Sequence, residues 1–412
     1  MDRADPARRM AEVSPVIGSS TPRPDVIVIG GAATGASVAF HLAADPAFRG
    51  RVLVLEKDPS YRFCASALSA ASIRQQFSTA VNIRMSLHGI AFLREIGRHL
   101  EVDGEAPDIA LREGGYLFLA SPEGAATLGT NHALQTSLGA DILLLDPEAL
   151  EQRFQWLCTE GLAAGCWGRS GEGWFDGYAL MQAFRRKAVS LGVEYRAAEV
   201  RRVLLSGSRV CGVELADGSR IDCGTVVNAS GADGARLART AGVDIPVHNK
   251  KRMIFSFRAE DEIRGCPLLI DTNGCYVRPE GEGFLCGTAP APENDPDADG
   301  DFTVDWSLFE EVVWPTLAAR VPAFERIRPG RAWAGHYDMC DWDHNVLLGP
   351  APGMEGLLLA NGFSGHGLQQ SPAVGRAIAE LIVHGGFQAL DLSELSPARV
   401  LEGRRVIEAN IV

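Results

Sequence analysis

Two glycine-rich segments roughly three hundred residues apart hold the residues most able to do chemistry. In the first, Asp25-Val-Ile-Val-Ile-Gly-Gly-Ala-Ala-Thr-Gly35, the aliphatic run reads as a buried parallel strand. Gly30, Gly31, Ala32 and Gly35 then turn it into a helix with Val38, Ala39 and Leu42 on one face. A diphosphate can rest on the free N–H groups at such a helix start. A second strand, Arg51-Val-Leu-Val-Leu-Glu56, ends about twenty residues after Gly35 in the carboxylate such a unit needs for a ribose hydroxyl, and Lys57 follows it. Ala32 replaces the middle glycine of the usual fingerprint and narrows the approach of the backbone to a pyrophosphate. Nicotinamide and flavin dinucleotides both fit this half.

The second segment, Asn361-Gly-Phe-Ser-Gly-His-Gly-Leu-Gln369, precedes a helix expected to open at Ser371-Pro372. Its backbone N–H groups and the positive end of that helix suit a site where negative charge develops. Between the two lies Ser66-Ala-Leu-Ser-Ala-Ala-Ser-Ile-Arg-Gln-Gln-Phe77. Its small residues allow close backbone approach to a ligand, while Ser69, Ser72, Arg74 and Gln75 offer hydrogen bonds; the alternative is a polar helix start.

The elements that must position these groups are those of a soluble globular protein. The chain has 412 residues, 46% hydrophobic and 22% charged, enough for two cores, and its net charge of −13 argues against nucleic acid or an anionic membrane surface as partner. No stretch approaches the roughly 20 apolar residues of a membrane span. Nine cysteines are scattered without a C-x-x-C pair and without an apolar signal segment ahead of them, which points to reduced thiols and a cytoplasmic location. Residues 1–24 read as a flexible tail. Helical periodicity runs over 80–100, 177–191 and 306–320, the last expected to be kinked or split by Pro315. Long β segments follow residue 247, and the acidic, Pro-rich stretch 292–301 reads as a solvated loop. The fold class expected is α/β with an α+β second domain. A Rossmann-like domain (25–90, 175–246 and 331–412) is interleaved with an antiparallel-sheet substrate domain (91–174 and 247–330).

With both glycine segments in view, the chain resembles the D-amino-acid oxidase-like superfamily of FAD proteins. The resemblance extends to a branch sharing Gly168-Arg-Ser-Gly-Glu-Gly-Trp174 and Gly365-His-Gly-Leu-Gln-Gln370. It implies non-covalent FAD: the places where relatives attach the flavin hold His336 and Ser69, with Cys340 offset by four. It sets Gly30, Gly31, Ala32, Gly35, Glu56, Lys57, Ser69, Ser72, Arg74, Gln75, Val200 and Gly231 around the cofactor. Ser364, Gly365, His366, Gly367, Leu368 and Gln369 lie against the isoalloxazine.

The resemblance also implies oxidation of a small amino acid beside its nitrogen, by hydride transfer to flavin N5 and hydrolysis of the imine. Arg278 is the candidate for the substrate carboxylate, with Tyr276 on the same strand face; a surface salt bridge to Glu280 or Glu282 is the alternative. Gln369 takes the place of a carboxylate-binding lysine of some relatives, and His336 is a candidate contact to substrate or flavin. The strand that carries an oxygen-activating lysine in relatives reads Phe284-Leu-Cys-Gly287 here. Only Lys250 or Lys251 remains for that role, against a plain exposed basic turn, and the acceptor is oxygen or another oxidant. Two other functions stay open: a 2-hydroxy-acid dehydrogenase, and a flavoprotein acting as an assembly or interaction factor. No metal site is expected.

Overall fold

The computed structural model describes residues 23–298 and 300–410; most of the tail expected over 1–24 lies outside them. Six strands form the nucleotide-binding sheet in the order Leu347–Pro350, Leu357–Asn361, Thr225–Asn228, Val26–Ile29, Val52–Glu56 and Glu194–Ala197. All neighbours are parallel except the first pair. Val26–Ile29 is buried along its whole length, as a strand covered on both faces must be. One face is covered by the helices Ala33–Ala44, Gly177–Ser190 and Gly367–His384. The other is covered by the meander Val200–Ser206, Arg209–Leu215 and Arg220–Asp222 with the helix Gly234–Thr240. Gly375 lets two of these helices nearly touch: a Cβ there would lie 2.1 Å from Ser37 Oγ.

The second sheet has eight strands, in the order Ile327–Cys340, Val247–Ala259, Gly283–Thr288, Tyr276–Glu280, Leu268–Ile270, Tyr116–Ala120, Ala164–Gly168 and Ile142–Leu145. It is antiparallel except where Leu268–Ile270 runs parallel to Tyr116–Ala120. Ile327–Cys340 pairs with Val247–Ala259 over nearly its whole length, so residues 331–340 belong to this sheet rather than to the nucleotide-binding segment expected to begin at 331. Phe255, Phe309, Val313, Leu317 and Phe324 make the core beneath it.

The 306–320 helix is split, as expected, and the start of one other helix needs correction. The 306–320 stretch is divided by a π-helical turn, Phe309–Val313, and Pro315 falls in the first turn of Trp314–Arg320, where its missing N–H costs nothing. The last long helix starts at Gly367, four residues before Ser371. Pro372 is tolerated inside it because Ser371 Oγ donates to Leu368 O at 2.8 Å, satisfying the carbonyl that the proline cannot.

Candidate active site

The first glycines are required by contact as well as by turn geometry. Gly30 has φ +94°, and a Cβ on it would lie 2.5 Å from Ala229 O; one on Gly35 would lie 1.8 Å from Gly30 O. Ala32, at the N-cap of Ala33–Ala44, offers no side-chain acceptor, and Ser66 Oγ meets only Ala33 N–H, at 3.3 Å. The rest of that helix start remains suited to an anion. Glu56 is held rigidly at its strand end, accepting Gly31 N–H at 2.7 Å and Asp58 N–H at 2.8 Å. Lys57 pairs with Asp233, whose other oxygen meets Arg236 Nε at 3.2 Å.

From this corner a cavity of about 540 Å³ extends past Val200 and Gly231 on one side and past Ser69, His336, Tyr337 and Asp338 on another. Gly365, Gly367 and Leu368 also line it. The loop they belong to is moulded on the strand Ile327–Cys340. Asp338 Oδ2 accepts Gly362 N–H at 2.8 Å, Asp338 O accepts Ser364 N–H at 3.0 Å, and Ser364 Oγ accepts Cys340 N–H at 3.1 Å. Gly365 has φ +87°, and a Cβ on it would lie 2.4 Å from the Tyr337 ring. Ser364 adopts φ +53° in the same turn. Burial pushes the Asp338 carboxyl up to about 6 despite its N–H donors. His366 turns its ring away from the cavity, edge-on to Phe77 at 5.0 Å, with Nε2 3.3 Å from Arg74 Nη2. Burial, then the charge of Arg74, pushes it down to about 3.

Several candidates are placed elsewhere than the cavity wall. Ser69 lines the cavity and accepts Ala71 N–H at 2.9 Å, but Ser72, Arg74 and Gln75 spend their side chains within the protein. Ser72 accepts the Tyr116 hydroxyl, Gln75 Nε2 donates to Gly171 O at 2.7 Å, and Arg74 donates to the carbonyls of Gln76 and Asn410. Gln369 is buried, its Oε1 accepting Arg74 N–H at 3.0 Å. These groups sit in the protein interior, where each needs a partner at once.

Arg278 is 4% exposed. Its Nε and Nη2 donate to Ala70 O at 2.9 and 2.7 Å, and Nη1 to Pro279 O and to the carboxylate of Glu280. It is therefore both buried and ion-paired, clamped to the small-residue segment beside the cavity. Tyr276 is half-buried, and desolvation raises its phenol well above the usual range. Its hydroxyl would meet a Cβ on Gly287 at 2.7 Å.

The two lysines are engaged. Lys250 Nζ pairs with Asp297 at 2.9 Å and Lys251 Nζ with Asp301 at 2.6 Å, while Arg252 holds Asp295 through two bonds of 2.8 and 2.9 Å. The acidic stretch expected to be solvated is thus fastened to three consecutive cations, because the strand Val247–Ala259 presents them to it. Gly300 from that stretch and Phe302 just after it line the cavity. His336 donates from Nε2 to Asp301 O at 2.8 Å and stacks on Phe302 at 4.3 Å.

Asp338 and Tyr337 line the cavity without being among the residues expected there. The signal for Asp338 was strand alternation, which sets it on the face of His336. Glu172 is fully buried, accepts the N–H groups of Gln75 and Gln76, and is pushed by burial up to about 7. Among the described residues there is no helix long and apolar enough to cross a membrane and no cluster of ligating side chains set to hold a metal. The nine cysteines are free thiols.

A βαβ unit with a carboxylate at the end of its second strand, opening into a cavity floored by a second, largely antiparallel sheet and closed by a glycine loop at a helix start, has the architecture of a dinucleotide-binding oxidoreductase. The chain belongs to the FAD dependent oxidoreductase (DAO) family, whose model matches residues 25–381. It is 41% identical to FAD-dependent oxidoreductase domain-containing protein 1 of Xenopus laevis over 95% of this chain and 85% of that one. It is 29% identical to glycine oxidase of Geobacillus kaustophilus over 92% and 98%. Among solved structures, L-proline dehydrogenase from P. horikoshii matches with a TM-score of 0.81 at 26% identity, over 93% of this chain and 99% of that one. The cofactor is FAD, and the residues fit it: glycines where a Cβ would collide, a carboxylate pre-aimed by two N–H groups, and a cavity between them and the 362–368 loop.

Proposed function

We propose that the protein oxidises the C–N bond of a small amino acid, a secondary or N-substituted one by preference, to an imine that water then hydrolyses. The observation that carries this is Arg278: a buried guanidinium pinned to Ala70 O, one residue from the cavity-lining Ser69, with Glu280 as its single charged partner among the described residues. Glu280 is 54% exposed at its side chain and is the group a substrate carboxylate replaces on Nη1. Glycine oxidase and L-proline dehydrogenase, by their names, act on amino acids, and proline is a secondary amine.

FAD, when bound, supplies the two-electron acceptor. The chain's part is to hold the carboxylate on Arg278, admit the neutral amine, and screen the site from water with Phe302, His336 and Tyr337. The test is anaerobic mixing of the FAD-loaded protein with sarcosine, proline and other secondary amino acids, and separately with 2-hydroxy acids. Loss of flavin absorbance with the amino acids supports the reading. Loss with hydroxy acids alone makes the protein a 2-hydroxy-acid dehydrogenase, and no loss with either favours a flavoprotein kept for assembly or interaction.

A further inference from the structure

Arg74 follows the short strand Ser72–Ile73 and is 3% exposed. Its guanidinium meets neutral acceptors: the carbonyls of Gln76 and Asn410, and Nε2 of His366 at 3.3 Å. The rings of Phe77 and Phe118 cover it at 4.2 and 5.2 Å. Among the described residues no carboxylate forms an ion pair with it. The two buried carboxylates nearest in charge terms, Glu408 and Glu172, are turned to other donors. Glu408 accepts from Ser78, Thr79 and Asn82, and Glu172 from the N–H groups of Gln75 and Gln76. A buried cation so arranged projects its field on whatever stands beyond its acceptors.

What stands beyond is the cofactor loop. His366 lies between Gly365 and Gly367, both on the cavity wall, and its imidazole points the other way, onto Arg74. A guanidinium only donates, so Nε2 is the acceptor and the neutral ring carries its proton on Nδ1. The positive charge therefore sits one imidazole behind the loop, beside the amino end of the 18-residue helix Gly367–His384.

We propose that Arg74 is an electrostatic positioning residue for the cofactor: acting through His366, its charge fixes the loop and stabilises the negative charge the flavin ring gains on reduction. This rests on the chain holding FAD and not on the identity of the substrate. The test uses the FAD-loaded protein and two readouts independent of turnover, the midpoint potential of the bound flavin and its affinity for sulfite. Arg74→Gln is expected to weaken sulfite binding about tenfold, the order one charge supplies at an effective dielectric of about 20. The potential should fall by about 30 mV, which is that factor for a two-electron couple. Arg74→Lys keeps the charge and should stay close to wild type. Glu408→Gln removes an opposing charge and should shift both readouts the other way, whereas a purely structural role would move both variants in one direction.

Wild-type affinity in Arg74→Gln, or an equal loss in Arg74→Lys, overturns the proposal. If Arg74→Gln does not fold, Glu408→Gln decides alone, and sulfite binding that is unchanged or weaker there overturns it as well. Failure of the wild-type protein to bind FAD at all removes the cofactor reading and this proposal together, an outcome distinct from a bound flavin that ignores Arg74.

Discussion

Asp338 makes the cofactor loop sensitive to pH in a direction opposite to that of an ordinary paired carboxylate. Burial raises it from 3.8 to about 6 in the folded protein, a difference worth about 3 kcal/mol. Because the folded value lies above the unfolded one, the native state binds more protons between the two. The charged form therefore burdens the fold above about pH 6, and the burden lifts as pH falls through that value toward 4. Linkage puts the gain between about pH 8 and pH 5 at about 1.4 kcal/mol.

Asp338→Asn removes the titration while keeping one acceptor for Gly362 N–H. Urea unfolding of both proteins, FAD-saturated, across that range should show wild type gaining on the variant as pH falls, by about 1.4 kcal/mol at the acid end. Other groups titrate too. His41 and His366, each pushed down to about 3 by burial first, lose stability as pH drops below the usual histidine range, and Glu172 acts in the same sense as Asp338. All three are common to the two proteins and cancel in the difference. A difference that stays constant with pH would refute the argument.

Glu56→Ala should raise the Kd for FAD by an amount equivalent to about 1–3 kcal/mol, the worth of a hydrogen bond to a charged group, measured by fluorescence titration of the apoprotein. Acid or heat denaturation should release free FAD, and flavin left on the denatured chain would contradict the non-covalent assignment. Arg278→Ala should cost about 2–4 kcal/mol in kcat/KM for a carboxylate substrate, chiefly through KM, with FAD content unchanged. Lys250→Met and Lys251→Met should each leave the reoxidation rate of the flavin in air near wild type, because Asp297 and Asp301 already hold the two ammonium groups. A large loss in stopped-flow reoxidation for either would make that lysine an oxygen-activating group.

The cofactor half of the site was legible because its constraints are local. An aliphatic run ending in Gly30, and a second ending in Glu56, specify strand, turn and carboxylate within thirty or so residues. The rest depends on partners far away in the chain. Nothing local in the 295–301 stretch tells that its aspartates meet Lys250, Lys251 and Arg252, some 45 residues earlier. The start of the Gly367–His384 helix was misread because Ser-Pro is a common helix opening, and a serine hydroxyl replacing a proline N–H leaves no periodic mark. Arg74 read as a ligand contact for the same reason. Its type was plain, but the partners that take up its N–H groups, His366 and Asn410, lie near the other end of the sequence.

The strand order of the nucleotide-binding sheet also sets a timetable for synthesis. Thr225–Asn228 is flanked by Val26–Ile29 and by Leu357–Asn361, so until the latter has left the ribosome it is an open edge. The glycine loop and helix that complete the cofactor cavity follow that same late strand. Most of the polypeptide must therefore exist before FAD can be enclosed, and the nascent chain carries an unpaired aliphatic edge for more than a hundred residues of elongation. Until that strand arrives, the backbone N–H and C=O groups of Val226 and Val227 on this side have no ladder partner, and slower translation past residue 228 lengthens the time they are open to pairing with another chain.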